Sequence, residues 1–159
     1  MKVLNVHTRR FPVQKDKVVA LVQTLATEED SIWPKNTWPP MRFKEGIQLG
    51  AKGGHGPIRY TVETYDPSEC IQFRFTQPKG FHGIHKFEIE RLAAKETLVR
   101  HTIAMTTSGS GTLAWIFGIR SLHDALLEDA FDQLENALTH SEKRTPWSLW
   151  VRFLRRLLR

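Results

Sequence analysis

From residue 41 to residue 107 polar and apolar side chains alternate with period two, and after residue 112 the spacing lengthens to that of a helix. Before that region, residues 3–11 mix β-branched and apolar residues with polar ones and stop at Pro12. This predicts a strand carrying two exposed arginines, Arg9 and Arg10. Val18, Leu21, Val22 and Leu25 recur at helical spacing, which predicts an amphipathic helix over residues 14–26. Residues 33–40 hold Pro34, Pro39 and Pro40, so they read as a stiff loop. Trp33, Trp38 and Met41 on it either cover a core or gate a pocket.

Within the alternating region the pattern predicts a strand over 41–49, a break over 50–56, and two hairpins. The first pairs 58–65 with 70–77 around Asp66-Pro67-Ser68-Glu69, a strong turn signal. If Tyr65 faces Cys70, then Thr64 faces Ile71, Val62 faces Phe73 and Tyr60 faces Phe75. One face is then apolar or aromatic, and Arg59, Glu63, Gln72 and Arg74 share the other. The second hairpin pairs 83–92 with 97–107 and turns His85, Phe87 and Ile89 inward beside Val99, His101, Ile103 and Met105.

Residues 112–139 read as one long helix. Leu113, Phe117, Leu127, Phe131, Leu134 and Leu138 trace a stripe. Its first half is apolar nearly all round, interrupted by Arg120, His123 and Asp124. Its second half turns Glu128, Asp129, Asp132 and Glu135 outward. A helix that is apolar on all sides must be enclosed, and a curved antiparallel sheet can wrap it and leave a gap. The expected class is therefore α+β: a curved antiparallel β-sheet around a long C-terminal helix, over residues 1–140. Residues 141–159 form a basic amphipathic tail after it, with a short C-terminal helix that starts at Pro146.

Composition narrows the function. A chain of 159 residues, 40% hydrophobic and 25% charged, is an ordinary single soluble domain. No apolar run approaches the ~18 residues of a spanning helix. The lone Cys70 has no partner within the chain, which excludes a disulfide framework and a Cys-rich zinc module. The net charge is +6, of which residues 141–159 carry +5 and residues 1–140 only +1. A nearly neutral body argues against a nucleic-acid partner. The first residues lack a secretory apolar core. Thr8-Arg9-Arg10-Phe11 has the twin-arginine pair of an export signal without its layout, so a cytoplasmic protein is expected, peripheral at the inner membrane face if its tail docks there.

The element order resembles the helix-grip fold of the START/Bet v 1-like (SRPBCC, polyketide cyclase/dehydrase-like) superfamily. The local resemblance lies in Phe11-Pro12-Val13 leading into residues 18–25, in Trp33-Pro34 and in the bend at 50–56. It continues in Tyr65-Asp66-Pro67 and in Leu122-His123-Asp124-Ala125-Leu126. It implies a hydrophobic ligand held between sheet and long helix, in a carrier or a cofactor-independent enzyme, and it does not choose between them.

On that reading the pocket is lined by Tyr60, Phe73, Phe75, Phe87, Ile103, Met105 and Phe117, with His85, His101, Arg120 and His123 as polar contacts. His85 and His101 sit on neighbouring strands and either orient a ligand hydroxyl or carbonyl or satisfy each other. Arg120 either neutralises an acidic head group or pairs with Asp124 four residues on. His82 and His85 have a metal-like spacing, but on a strand they face opposite ways, so no metal and no cofactor is expected. The alternative to a binder is a cyclase/dehydrase-like enzyme acting on a polyketide-like or aromatic substrate, with His85/His101 or His123/Asp124 as its acid–base pair. A third reading is an interaction module whose core is filled by side chains.

In the tail, Trp147, Trp150, Val151, Leu154, Leu157 and Leu158 recur at spacings of three and four, and Arg152, Arg155, Arg156 and Arg159 cover the rest. About thirteen residues are too few for a stable helix alone in water. The tail needs an anionic membrane, its own domain, a second copy in a homodimer, or another partner to fold on. For a membrane the contacts would be Trp147, Trp150, Arg152, Leu154, Arg155, Arg156 and Leu158.

Overall fold

Period-two segments pair and the period-3.6 segment lies across them in the computed structural model, which describes residues 1–158. The strands are β1 (Lys2–Phe11), β2 (Arg42–Phe43), β3 (Lys52–His55), β4 (Ile58–Asp66), β5 (Cys70–Gln77), β6 (Phe81–Ala93) and β7 (Glu96–Thr107). They form one antiparallel sheet in the order β1-β7-β6-β5-β4-β3-β2. Helix α1 (Lys15–Val22) comes after β1. The long helix is α2 (Ser110–Ala114), a π-helical turn (Trp115–Ile119) and α3 (Arg120–Thr139); α4 (Leu149–Leu157) closes the chain. This is the expected arrangement of a sheet around a helix.

The register of the first hairpin is half as expected. Val62 faces Phe73 and Tyr60 faces Phe75, but Tyr65 faces Ile71 and Asp66 faces Cys70. An irregularity between Val62 and Thr64 absorbs the one-residue difference, as a β-bulge does. Asp66 also accepts from the Ser68 backbone N–H at 2.9 Å, an Asx turn that shortens the connection. In the second hairpin His85, Ile89, Val99, His101, Ile103 and Met105 are all buried on the inner face.

Three expectations are corrected. The strand over 41–49 shrinks to Arg42–Phe43, and the supposed break contains β3. Gly53 and Gly54 permit this pairing, because a Cβ on either would collide with backbone atoms of Arg42 or Ile58. Helix α1 ends at Val22 rather than residue 26, where Ala26 has left-handed φ (62°). The acidic face of the long helix is not solvated: β1 turns Asn5, His7 and Arg9 inward onto it. Asn5 Nδ2 donates to Asp124 (3.0 Å), and Arg9 donates to Glu128 (2.6 Å), Asp132 (2.5 Å) and Glu135 (3.2 Å). Arg9 is therefore enclosed, whereas Arg10 stands exposed beside Glu96.

The π-helical turn adds a residue to one helical turn and rotates all later positions relative to an α-helical register. Trp115 is buried by it, while Leu113, Ile116 and Phe117 face solvent. The stripe traced from the sequence holds only beyond the turn, at Leu127, Phe131 and Leu134.

Candidate functional site

Between the inner face of the sheet and the long helix lies a cavity of about 500 Å³. Its apolar walls are Phe75, Phe81 and Ile103 from the strands and Trp115, Ile119, Leu122 and Leu126 from the helix. Trp38 and Pro39 of the Pro-rich loop close one side, and Leu154, Leu157 and Leu158 of the tail another. Size and greasiness suit a small hydrophobic molecule.

Three imidazoles interrupt this wall: His55 from β3, His85 from β6 and His123 from α3. Burial lowers the His55 pKa to about 3 and pushes those of His85 and His101 well below the ordinary histidine value. Burial also lowers the His123 pKa, against the pull of Asp124. At neutral pH the cavity therefore presents neutral imidazoles, each able to donate and accept. His85 Nδ1 lies 3.4 Å from His101 Nε2, so the two rings do meet, and His85 Nε2 is left buried without a hydrogen-bond partner among the described residues. The His85 ring stacks between Phe73 and Phe75, at 4.7 and 4.9 Å.

His123 joins the cavity to a polar cluster between β1 and α3. Its Nδ1 lies 3.5 Å from Asp124 Oδ1, which also contacts His7 Nε2 at 3.0 Å; His7 Nδ1 lies 3.2 Å from Glu128. Donor atoms of His7, His123 and Asp124 fall within 4.8 Å of one another, and hydrogen bonding accounts for that spacing. Asp124 raises the His7 pKa. Burial opposes ionisation of Asp124, yet hydrogen bonds from His123, His7 and Asn5 outweigh it and hold its pKa below the ordinary range.

Of the lining residues expected from sequence, Phe75, His85, Ile103, Phe117 and His123 reach the cavity. Tyr60, Phe73, Phe87, His101 and Met105 are not on its wall. Tyr60, Phe73, His101 and Met105 are buried, and Phe87 is partly buried against His101 (4.5 Å). Phe117 sits at the rim with 64% of its surface exposed, not inside the stripe, because of the π-helical turn. Arg120 is corrected: it lies on the surface, 3.9 Å from Asp124, and is not part of the cavity wall. Sequence reasoning misses His55 and Trp115, the first hidden in a glycine-rich stretch that reads as a break, the second by the π register.

The tail packs on its own domain. Val151 is buried, Trp147 donates to Asp129, and Arg155 lies over the Trp38 ring at 4.7 Å and donates to the Thr37 carbonyl. Of the set expected to touch a membrane, Trp147, Leu154 and Arg155 are thus engaged by the domain, while Trp150, Arg152, Arg156 and Leu158 remain exposed. Arg159 lies outside the described residues.

No protein-family model matches the sequence, and no curated protein matches it either. Solved structures match over nearly the whole chain. Norcoclaurine synthase from Thalictrum flavum, in complex with dopamine and hydroxybenzaldehyde, superposes with a TM-score of 0.66 at 10% identity, covering 90% of each chain. CalU16 from Micromonospora echinospora gives 0.60 at 12% identity, over 99% of this chain and 91% of that one. A START superfamily protein from Mycobacterium smegmatis gives 0.55 at 14%, over 86% and 97%. The chain has the helix-grip fold of the START/Bet v 1-like superfamily. At these identities the likeness establishes the fold alone. No helix among the described residues is long and apolar enough to cross a membrane.

Proposed function

We propose that this helix-grip protein binds a hydrophobic small molecule or lipid that carries a hydroxyl or carbonyl group, and that it does so at a membrane surface. The observation that carries the reading is the cavity of about 500 Å³, apolar except for the neutral imidazoles of His55, His85 and His123 and for Arg155 of α4 at its edge. The apolar wall favours a ligand that water rejects. The imidazoles favour one with a polar tip, since an unfilled buried donor or acceptor is costly. Hydroxybenzaldehyde, held with dopamine by norcoclaurine synthase, is a small aromatic molecule that carries both a hydroxyl and a carbonyl. Membrane contact belongs to the same proposal, because such ligands partition into bilayers and the tail exposes Trp150, Arg152, Arg156 and Leu158.

Native mass spectrometry of freshly purified protein tests the ligand claim. The expected result is a mass increment of one small molecule, released by organic solvent and lost in Leu122→Trp, which fills the cavity. A wild-type protein that carries and takes up nothing, or a filled variant that binds equally well, refutes it.

One observation favours a second reading, a cofactor-independent cyclase/dehydrase-like enzyme acting on an aromatic or polyketide-like substrate. His123 lines the cavity with Nδ1 held 3.5 Å from Asp124, as a general base is held by an orienting carboxylate. His123→Gln separates the readings: in a carrier, where His55 and His85 still face the ligand, uptake weakens by no more than about tenfold, whereas in an enzyme turnover of the captured compound is abolished.

A further inference from the structure

Eight of the fourteen large apolar side chains that stand exposed among the described residues belong to two short segments, so the exposure is localised. Leu113, Ile116 and Phe117 form a ridge on α2 and the π-helical turn. Leu149, Trp150, Phe153, Leu157 and Leu158 belong to α4 and its end. The two segments flank one opening, because Phe117 and Gly118 from the first and Leu154, Leu157 and Leu158 from the second line the same cavity.

Helix geometry orients α4 over that opening. Val151 is its buried contact, and Leu154, Leu157 and Leu158 reach the cavity. At 100° per residue, Trp150 then falls on the cavity side with Leu157, and Arg152 and Arg156 fall on the far flank. Trp150 stacks on Phe153 with ring centres 5.4 Å apart, a flat aromatic pair presented outward. Residues 110–120 and 146–158 contain no acidic side chain, but Arg120, Arg152 and Arg156 stand exposed on them. Arg120 is paired with Asp124 at 3.9 Å, which leaves Arg152 and Arg156 as the cations of this face. An apolar ridge, an aromatic pair and these two arginines complement a bilayer interface bearing anionic lipid.

We infer that the π-helical ridge and α4 form one docking face for an anionic bilayer, with the cavity mouth at its centre. This rests on the proposed ligand binding and extends it. The tail does not act alone, and the ligand passes between bilayer and cavity without crossing water. An exposed apolar rim around a ligand mouth is thereby accounted for, since the same side chains that cost solubility in water are those that enter the interface.

The test is flotation with vesicles of phosphatidylcholine containing 30% phosphatidylserine, against vesicles of phosphatidylcholine alone. Wild type is expected to float with the anionic vesicles and to come off in high salt. Arg152→Gln/Arg156→Gln is expected to lose about thirtyfold in partitioning, from roughly one unit of interfacial charge attraction per arginine. Leu113→Ser/Phe117→Ser, which leaves the tail intact, is expected to lose about tenfold or more. These side chains are on the surface, and unchanged circular dichroism and melting confirm folded variants. Leu122→Trp keeps the docking face and is expected to float like wild type while taking up no cis-parinaric acid.

A ridge variant that floats like wild type overturns the inference, because the tail then docks alone. So does a wild type that stays with the soluble fraction, or one that dimerises through α4 instead of floating. Wild type that floats but takes up no cis-parinaric acid leaves docking standing and removes the ligand reading.

Discussion

Trp147 donates its indole N–H to Asp129 at 3.0 Å, and the same carboxylate accepts the indole N–H of Trp38 at 2.7 Å. The two rings lie 5.3 Å apart, and Arg155 covers Trp38. One carboxylate on α3 thus fastens both the Pro-rich loop and the tail beside the cavity. Asp129→Ala leaves two indole donors without it and is expected to cost about 2 kcal/mol, in the range for hydrogen bonds to a charged group. Trypsin should then cleave after Lys143 and Arg144 faster than in wild type. Unchanged cleavage and unchanged urea midpoint would show that Asp129 does not hold the tail.

How much of the fold and site is legible in the sequence depends on which rules are local. Alternation alone places Val62 against Phe73 and His85 beside His101, since a strand has only two faces. It cannot place Tyr65, because one irregularity near Glu63 and one Asx turn at Asp66 compensate for each other. Helical period finds Leu127, Phe131 and Leu134 but fails at Leu113 and Phe117, where the π-helical turn breaks the 3.6-residue repeat without a signal in composition. Acidic residues on a helix read as solvated. The contrary sign is present in β1, where Asn5, His7 and Arg9 share the parity of the buried Phe11 and so face the same helix. Half of the expected cavity wall is misplaced for a plainer reason. Inward-facing residues either line a gap or fill the space behind it, and parity does not distinguish them.

Arg9 and Arg10 are neighbours in sequence with opposite fates. Arg9 meets Glu128, Asp132 and Glu135, and the Asp132 side chain is only 5% exposed. Burial opposes ionisation of Asp132, but Arg9 and Thr145 outweigh it and keep its pKa low. Arg9→Met leaves that carboxylate enclosed without its cation and is expected to cost about 3 kcal/mol, the low end for a broken buried pair because Glu128 and Glu135 are partly solvated. Arg10→Met, on the exposed side, is expected to stay within about 0.5 kcal/mol. Chemical denaturation of both variants measures the difference, and equal losses would contradict the assignment.

Acid should unfold the protein earlier than a histidine-poor domain. His55 has a folded pKa of about 3 against 6.5 unfolded, so between those values the unfolded chain binds the proton and the folded chain does not. Stability therefore falls as pH drops below 6.5, by at most about 1.4 kcal/mol per pH unit for one group. His85 and His101 act in the same direction. His7 acts oppositely: Asp124 raises its pKa, so its contribution is full below 6.5 and fades as pH rises through its folded value. Melting temperatures from pH 7 to pH 4 should decline in wild type and less steeply in His55→Gln. Identical slopes would mean that His55 is not held neutral in the fold.

Two glycines make opposite predictions. Gly83 on β6 pairs with Met105, and a Cβ there would collide with the Ala104 carbonyl oxygen and with Met105 itself, none of which can swing away. Gly83→Ala is expected to destabilise by about 2 kcal/mol or more. Gly118 stands in the π-helical turn with nothing within 4 Å of its would-be Cβ. Gly118→Ala is expected to be neutral or to stabilise by up to about 1 kcal/mol, because alanine loses less backbone freedom in a helix. A Gly83→Ala protein that melts like wild type would show that β6 and β7 are not so closely apposed.

The buried nitrogen of His85 gives the ligand reading its finest test. Nδ1 faces His101 and the ring is clamped between Phe73 and Phe75, so the imidazole cannot turn to find another partner for Nε2. A ligand hydroxyl that reaches it gains a hydrogen bond that a purely apolar guest does not make. That difference is worth roughly 1.4 kcal/mol, or tenfold in affinity. 1-Naphthol should therefore bind more tightly than naphthalene to wild type, and His85→Phe should narrow the gap by weakening 1-naphthol about tenfold while leaving naphthalene within twofold. Calorimetric titration of both probes into both proteins reads the effect. Equal weakening of the two would assign His85 to packing alone, since a lost ring contact affects every hydrophobic guest, whereas a lost hydrogen bond affects only the guest that makes it.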